Sequence, residues 1–163
     1  MIALLRPLVA ALILATPAFA HDFSKGSLRV EHPWSRATPK GASVGAGYLV
    51  IENRGSAADR FLSVKVSPEI AERTEIHEMA VTDGVMRMRP LAKGVELAPG
   101  KTVKFEPGGL HVMFMNLKRP LEKGQRIKAT LVFEKAGEIE VEFAVEAMGG
   151  SSGGGSGKGY HGH

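Results

Sequence analysis

Residues 125–146 read QRIKATLVFEKAGEIEVEFAVE and carry the clearest structural pattern in the chain. In their second half, Ile, Val and Phe residues alternate with glutamates. Because successive side chains of a strand point to opposite faces of a sheet, this alternation predicts one buried and one solvated face. The turn-like residues 134–137 predict a hairpin that pairs strand 125–133 with strand 138–145.

Strand-like runs separated by turn sequences extend through most of the chain. No window of comparable length shows a helical period, and residues 69–73 could form a single turn at most. The pair Asp83-Gly84, between two such runs, is typical of a two-residue hairpin. The regular spacing of turns predicts one all-β sandwich or barrel. The remaining predicted strands cover residues 27–31, 44–52, 60–66, 73–79, 85–89, 101–105 and 110–117.

The composition excludes several classes of function. A chain of 163 residues can form a modest domain with a core, and 44% hydrophobic and 23% charged residues are ordinary for a globular protein. The net charge of +4 is mild and the basic residues are scattered, so we expect no nucleic-acid partner. The chain has no cysteine, which excludes disulfides, thiolate zinc sites and blue copper. Any metal must be held by His, Met or carboxylate side chains.

Residues 1–20 have the pattern of a cleaved secretory signal peptide. Arg6 precedes a short apolar core, and Ala18-Phe19-Ala20 is typical of a cleavage site. The apolar run is too short for a membrane helix and no cysteine follows it for lipid attachment, so we expect export without stable membrane insertion. Cleavage would make His21 the N-terminus, where its amine and ring nitrogen could chelate Cu(II). The alternative is an incidental residue in a frayed terminus.

The tail at residues 148–163 differs in kind from the rest of the chain. Residues 149–159 are nearly all Gly and Ser, so they cannot bury a core and are predicted to be disordered. The tail ends in His161-Gly162-His163, which could capture a metal ion or could be incidental. The predicted division is a signal peptide at 1–20, a β-domain at 21–147 and this tail.

Residues 108–117, GGLHVMFMNL, point to the chemistry of the protein. On a strand, His111, Met113 and Met115 share one face, and this combination suits a soft metal ion. A methionine is also a common gap-filler of cores, and a lone histidine on a strand is usually structural. Two further strands repeat the i, i+2 pairing, however, and three such clusters favour a metal site. The two further pairs are His77 with Met79 and Met86 with Met88.

The same residues carry a family resemblance. The chain contains His77, then Met88 eleven residues later, and then a distant His-x-Met motif formed by His111 and Met113. In this pattern the chain resembles the PCuAC family of periplasmic copper chaperones, and the resemblance covers residues 30–145. The resemblance implies a cupredoxin-like Greek-key β-sandwich that binds Cu(I) through these four side chains. It also implies periplasmic delivery of copper to a copper-receiving oxidase subunit, alongside a Sco-type thiol protein.

The resemblance extends to the C-terminal tail and to residues beside the four ligands. Some family members have a histidine-containing tail that contributes to a further copper site, which here would be a Cu(II) site. Met79, Met86 and Met115 lie beside these ligands and are given no more than a supporting role, and Trp34 is expected to be a core or site-shielding aromatic. A further Cu(II) site would draw on His21, His161 and His163.

The leading interpretation is a monomeric copper carrier without enzymatic activity. One alternative is a copper oxygenase in which a mature N-terminal His21 forms a two-histidine brace, although that would leave the methionine clusters unexplained. A second alternative is a periplasmic copper-tolerance or scavenging protein. A third is an Ig-like adhesion module, which would bind no copper.

Overall fold

The computed structural model describes residues 22–148, and all regular secondary structure in that range is β-strand. No helix in it has the length and hydropathy needed to cross a membrane. The predicted all-β class is confirmed. The strands are β1 Asp22–Lys25, β2 Leu28–Arg36, β3 Val44–Asn53, β4 Asp59–Val66, β5 Ala71–Thr82, β6 Val85–Pro90, β7 Val95–Leu97, β8 Thr102–Phe105, β9 Leu110–Leu117, β10 Arg126–Phe133 and β11 Gly137–Glu146.

The structure adds two strands to the prediction and extends two others. Strands β1 and β7 were not predicted, because runs of four and three residues are too short to show alternation. Strand β2 continues to Arg36 through an irregularity in its register, where His32 has a φ of +44°. Strand β5 does not end at Met79 but runs on to Thr82.

The strands hydrogen-bond in the order β6-β5-β9-β8-β3-β2-β11-β10-β4-β7, with β1 added on β2 and a further pairing between β9 and β3. Both predicted hairpins, β5–β6 and β10–β11, are present. In the first, Thr82 lies opposite Val85, and the two residues between them, Asp83 and Gly84, have φ values of +52° and +74°. This is the positive-φ geometry of a two-residue hairpin turn.

The core fills the inner faces of the sheet, and one face of β9 packs into it while the other carries His111. Val112 and Phe114 of β9 are fully buried in it, and Phe114 meets Phe143 edge-to-face with ring centroids 5.7 Å apart. Gly47 makes room for these rings, since a Cβ there would lie 2.9 Å from Phe143. Because Val112 and Phe114 point into the core, His111, Met113 and Met115 point to the opposite face.

Candidate metal centre

Strands β5, β6 and β9 are adjacent and bring the three predicted clusters together. His77 lies directly opposite His111 in the β5–β9 pair, and their ring centroids are 5.8 Å apart. Met79 lies directly opposite Met88 in the β5–β6 hairpin. Residues opposite each other in antiparallel strands share a face. The four side chains are therefore on one face of the sheet.

The His111 ring is held by its own turn. Its Nδ1 lies 3.0 Å from the carbonyl oxygen of Gly109, and a carbonyl can only accept, so Nδ1 carries the proton and donates it. In the neutral ring, Nε2 then has a free lone pair. That atom lies 3.1 Å from the sulfur of Met88. His111 therefore presents a nitrogen donor next to a thioether.

The His77 ring is held through Nε2, the other ring nitrogen. Its Nε2 donates to the carboxylate of Glu75 over 2.7 Å, while its Nδ1 is buried and has no hydrogen-bond partner among residues 22–148. An unpaired polar atom in the interior costs about 1–3 kcal/mol, so such an atom needs a reason. The hydrogen bond from His77, with Arg73 beside it, also holds the pKa of the Glu75 carboxyl below its usual value.

Both imidazoles thus have one nitrogen fixed by an oxygen acceptor, while the other nitrogen contacts the Met88 sulfur in His111 and is unpaired among the described residues in His77. This is the usual arrangement of metal-binding histidines, whose second nitrogen donates to a carboxylate or a backbone carbonyl. The acceptors are Glu75 for His77 and Gly109 for His111. Neither was identified from the sequence. Glu75 could have been found, because it lies two residues before His77 on the same face, but a backbone carbonyl leaves no trace in the sequence.

The two methionines differ in exposure. Met113 is buried, at 8% exposure, and follows His111 on the same face of β9. Met88 lies on the edge strand β6 and is 50% exposed. Three of the four predicted donors are therefore fixed in the interior and the fourth faces solvent. A bound ion would be reached from the side of Met88.

The other predicted neighbours take distinct positions on this face. Met115 lies beyond Met113, opposite Arg73 and Val44, on the side away from the histidines. Trp34 is buried and packs on Tyr48 with ring centroids 4.6 Å apart. The register of β2, β3 and β9 places this aromatic pair on the same face as Met113. Whether Trp34 shields the site stays a prediction.

The donor types available restrict the metal. Within residues 22–148 no group of three or more His, Cys, Asp or Glu side chains is placed to hold an ion. Beside the two imidazoles, the donor in contact with His111 is the thioether sulfur of Met88. The residues assigned to a further site, His21, His161 and His163, lie outside the described residues.

The sequence is similar to one described family and to one named relative. The sequence model of the family described as "Putative lipoprotein LpqE-like" matches residues 28–145. The chain is 30% identical to "Putative lipoprotein Lxx21020" of Leifsonia xyli subsp. xyli over 125 residues, which cover 77% of this chain and 73% of that protein.

Two solved structures have the same fold. The apo PCuAC domain from PmoF1 is 35% identical with a TM-score of 0.65, and the alignment covers 78% of this chain and 99% of that domain. The copper-bound PCuAC domain from PmoF2 is 30% identical with a TM-score of 0.64, covering 78% and 98%. The predicted PCuAC resemblance and its β-sandwich fold are confirmed.

Proposed function

The chain belongs to the LpqE-like family and has the PCuAC fold, and on that premise we propose that it is a periplasmic carrier of Cu(I) and not an enzyme. The proposed ligands are His77, Met88, His111 and Met113. The single observation that carries this assignment is the buried Nδ1 of His77, which finds no hydrogen-bond partner in the described part of the chain. A metal ion would supply that partner.

The nature of the donors favours Cu(I) over divalent ions. Thioethers are soft and neutral, and imidazole accepts copper readily, so two of each suit Cu(I) better than Zn²⁺ or Mg²⁺. All four donors are neutral when bound, so the site would keep the single positive charge of the ion. The Glu75 carboxylate, hydrogen-bonded to His77, would offset part of that charge.

The position of the site favours exchange over storage. Met88 is half exposed on an edge strand, while the other three donors are buried. A partner could thus replace one ligand before the ion leaves the others. This supports delivery to the copper centre of a respiratory oxidase subunit, with a Sco-type thiol protein acting alongside, as the PCuAC resemblance implies. The copper-bound state of the PmoF2 domain supports copper as the cargo.

A competition titration tests the ligand assignment. Residues 21–163 would be titrated anaerobically with Cu(I) against a chromophoric chelator, as wild type and as the double variant His111→Ala/Met113→Ala. We expect one tightly bound Cu(I) in the wild type and at least a hundredfold weaker binding in the variant. The control is Met115→Leu, on the same strand and face, which should bind as the wild type does. Unchanged affinity in the double variant would refute the assignment.

We further propose a separate Cu(II) site formed by the chain ends. His21 would contribute its amine and ring, and His161 and His163 would add imidazoles. Cu(II) prefers nitrogen donors in tetragonal geometry, which these residues can provide. A protein lacking both ends, residues 22–148, should lose this Cu(II) and keep the Cu(I). Equal Cu(II) binding by the shortened protein would contradict the proposal.

A further inference from the structure

The β5–β6 hairpin carries two methionines that the four-ligand site does not use. Met79 lies opposite Met88, and Met86 lies opposite Val81. Met86 is also two residues before Met88 on β6, so all three methionines share one face of the hairpin. The contact between the Met88 sulfur and His111 shows that this is the face of the two histidines.

The spacing allows the three sulfurs to meet. Side chains directly opposite each other in an antiparallel pair have Cβ atoms about 4.5–5.5 Å apart, and diagonal neighbours about 7–8 Å apart. Met79 and Met88 are of the first kind, and Met79 and Met86 are of the second. A methionine has three rotatable side-chain bonds, so each sulfur can cover these distances without a change in the backbone.

Exposure increases steadily along this face towards the hairpin turn. His77 and His111 are buried, Met79 is half-buried, and Met88 and Met86 are 50% and 60% exposed. A methionine that is mostly in water fills no gap in a core, so packing does not explain Met86. Exposed apolar side chains that lie together usually mark a binding site. Val81 and Val85 of the same hairpin are exposed as well.

We propose that Met79, Met86 and Met88 form a second, outer site for a monovalent soft ion, placed between the buried site and solvent. That its cargo is Cu(I) rests on the proposed function. Three neutral thioethers bind Cu(I) or Ag(I) and discriminate against hard divalent ions. An ion leaving the buried site would keep Met88 as a ligand and exchange His77, His111 and Met113 for Met79 and Met86. Copper remains Cu(I) throughout, so the transfer needs no oxidant or reductant.

The test is an NMR titration of protein labelled with ¹³C at the methionine methyl groups, with Ag(I) as an air-stable probe for Cu(I). The first equivalent should shift the methyl signals of Met88 and Met113. The second should shift those of Met79 and Met86. The double variant Met79→Leu/Met86→Leu, which keeps the side-chain volume, should bind the first equivalent normally and lose the shifts of the second. The control variant Met115→Leu should retain both.

The outcomes separate this inference from the proposed function. If Met88 and Met113 shift but Met79 and Met86 do not at any loading, the outer site does not exist although the carrier function stands. If Met113 stays unmoved, the buried site fails, and the outer site is still judged by the signals of Met79, Met86 and Met88.

The transfer role has its own measurement. Protein loaded with one equivalent of Cu(I) would be mixed with an excess of chelator, and the rate of release followed by absorbance. Release should be slower in Met79→Leu/Met86→Leu than in the wild type and in Met115→Leu. Equal rates in all three proteins would overturn the role of the outer site in transfer.

Discussion

Replacing Glu75 by alanine removes the acceptor that orients His77. The Nε2 of His77 would lose its hydrogen bond to Glu75, and the ring could turn its Nδ1 away from the site. The structure therefore predicts weaker Cu(I) binding even though Glu75 is not a proposed ligand. The change tests whether the orientation of His77 contributes to the affinity.

The size of the loss follows from this hydrogen bond. A hydrogen bond to a charged group contributes about 1.5–3 kcal/mol. The Glu75 side chain is 32% exposed, so solvent screens part of it and the lower half of that range applies, about 1.5–2 kcal/mol. At 1.4 kcal/mol for each factor of ten, Cu(I) affinity should fall about 10- to 30-fold. Glu75→Gln keeps a neutral acceptor, roughly half as strong, and should lose only about three- to fivefold.

Chelator competition measures the affinities, and ¹⁵N NMR of the imidazoles shows which nitrogens carry protons. Glu78→Gln is the matched control, because Glu78 pairs with Arg89 on the opposite face of the hairpin. It should bind Cu(I) as the wild type does. In the apo protein, His77 should be protonated on Nε2 and His111 on Nδ1. Wild-type affinity in Glu75→Ala, or a proton on Nδ1 of His77, would refute the reasoning.

Three further predictions concern stability and reactivity. Burial raises the pKa of the Asp59 carboxyl, but hydrogen bonds from three backbone N–H groups outweigh burial and hold the pKa below its usual value. The ionised carboxylate therefore stabilises the fold at neutral pH, and this stabilisation is lost as the pH falls below about 4. Asp59→Asn should thus lower the free energy of unfolding at pH 7 by about 1.5–3 kcal/mol and reduce its acid dependence, as measured by urea denaturation across pH; an unchanged pH profile would contradict this. Dilute peroxide should convert the exposed Met86 and Met88 to sulfoxides before the buried Met113, as read by peptide mass spectrometry; oxidation of Met113 first would contradict the burial. Gly47→Ala places a methyl group 2.9 Å from a core phenyl ring and should cost about 1–3 kcal/mol in denaturant unfolding, whereas a neutral effect would mean that the ring can move away.

Much of the fold could be read from the sequence because the side-chain period of strands is strict. Strand β9 was predicted to the residue, since a Gly pair precedes it and its faces differ in chemistry. Strand β2 was cut short, because His32 adopts a positive φ and breaks the alternation without ending the strand. Such an irregularity depends on the neighbouring strands and has no local sequence pattern.

The site could be predicted as a set of side chains but not as a geometry. The i, i+2 spacing indicated that His111 and Met113 share a face, and the Asp-Gly turn indicated the β5–β6 hairpin. The register that sets His77 directly opposite His111 joins segments 34 residues apart in sequence, and local patterns do not determine it. The choice of free nitrogen on each ring depends on Glu75 and on the Gly109 carbonyl, which only the folded chain brings into place.

The central claim is that two histidines and two methionines hold Cu(I). X-ray absorption at the copper edge of the protein, loaded with one equivalent of Cu(I), measures those ligands directly. The structure predicts two nitrogen and two sulfur neighbours, with one sulfur lost in Met113→Leu and both nitrogens lost in His77→Ala/His111→Ala. A copper ion surrounded only by nitrogen and oxygen, or a spectrum unchanged by these substitutions, would contradict the proposed site.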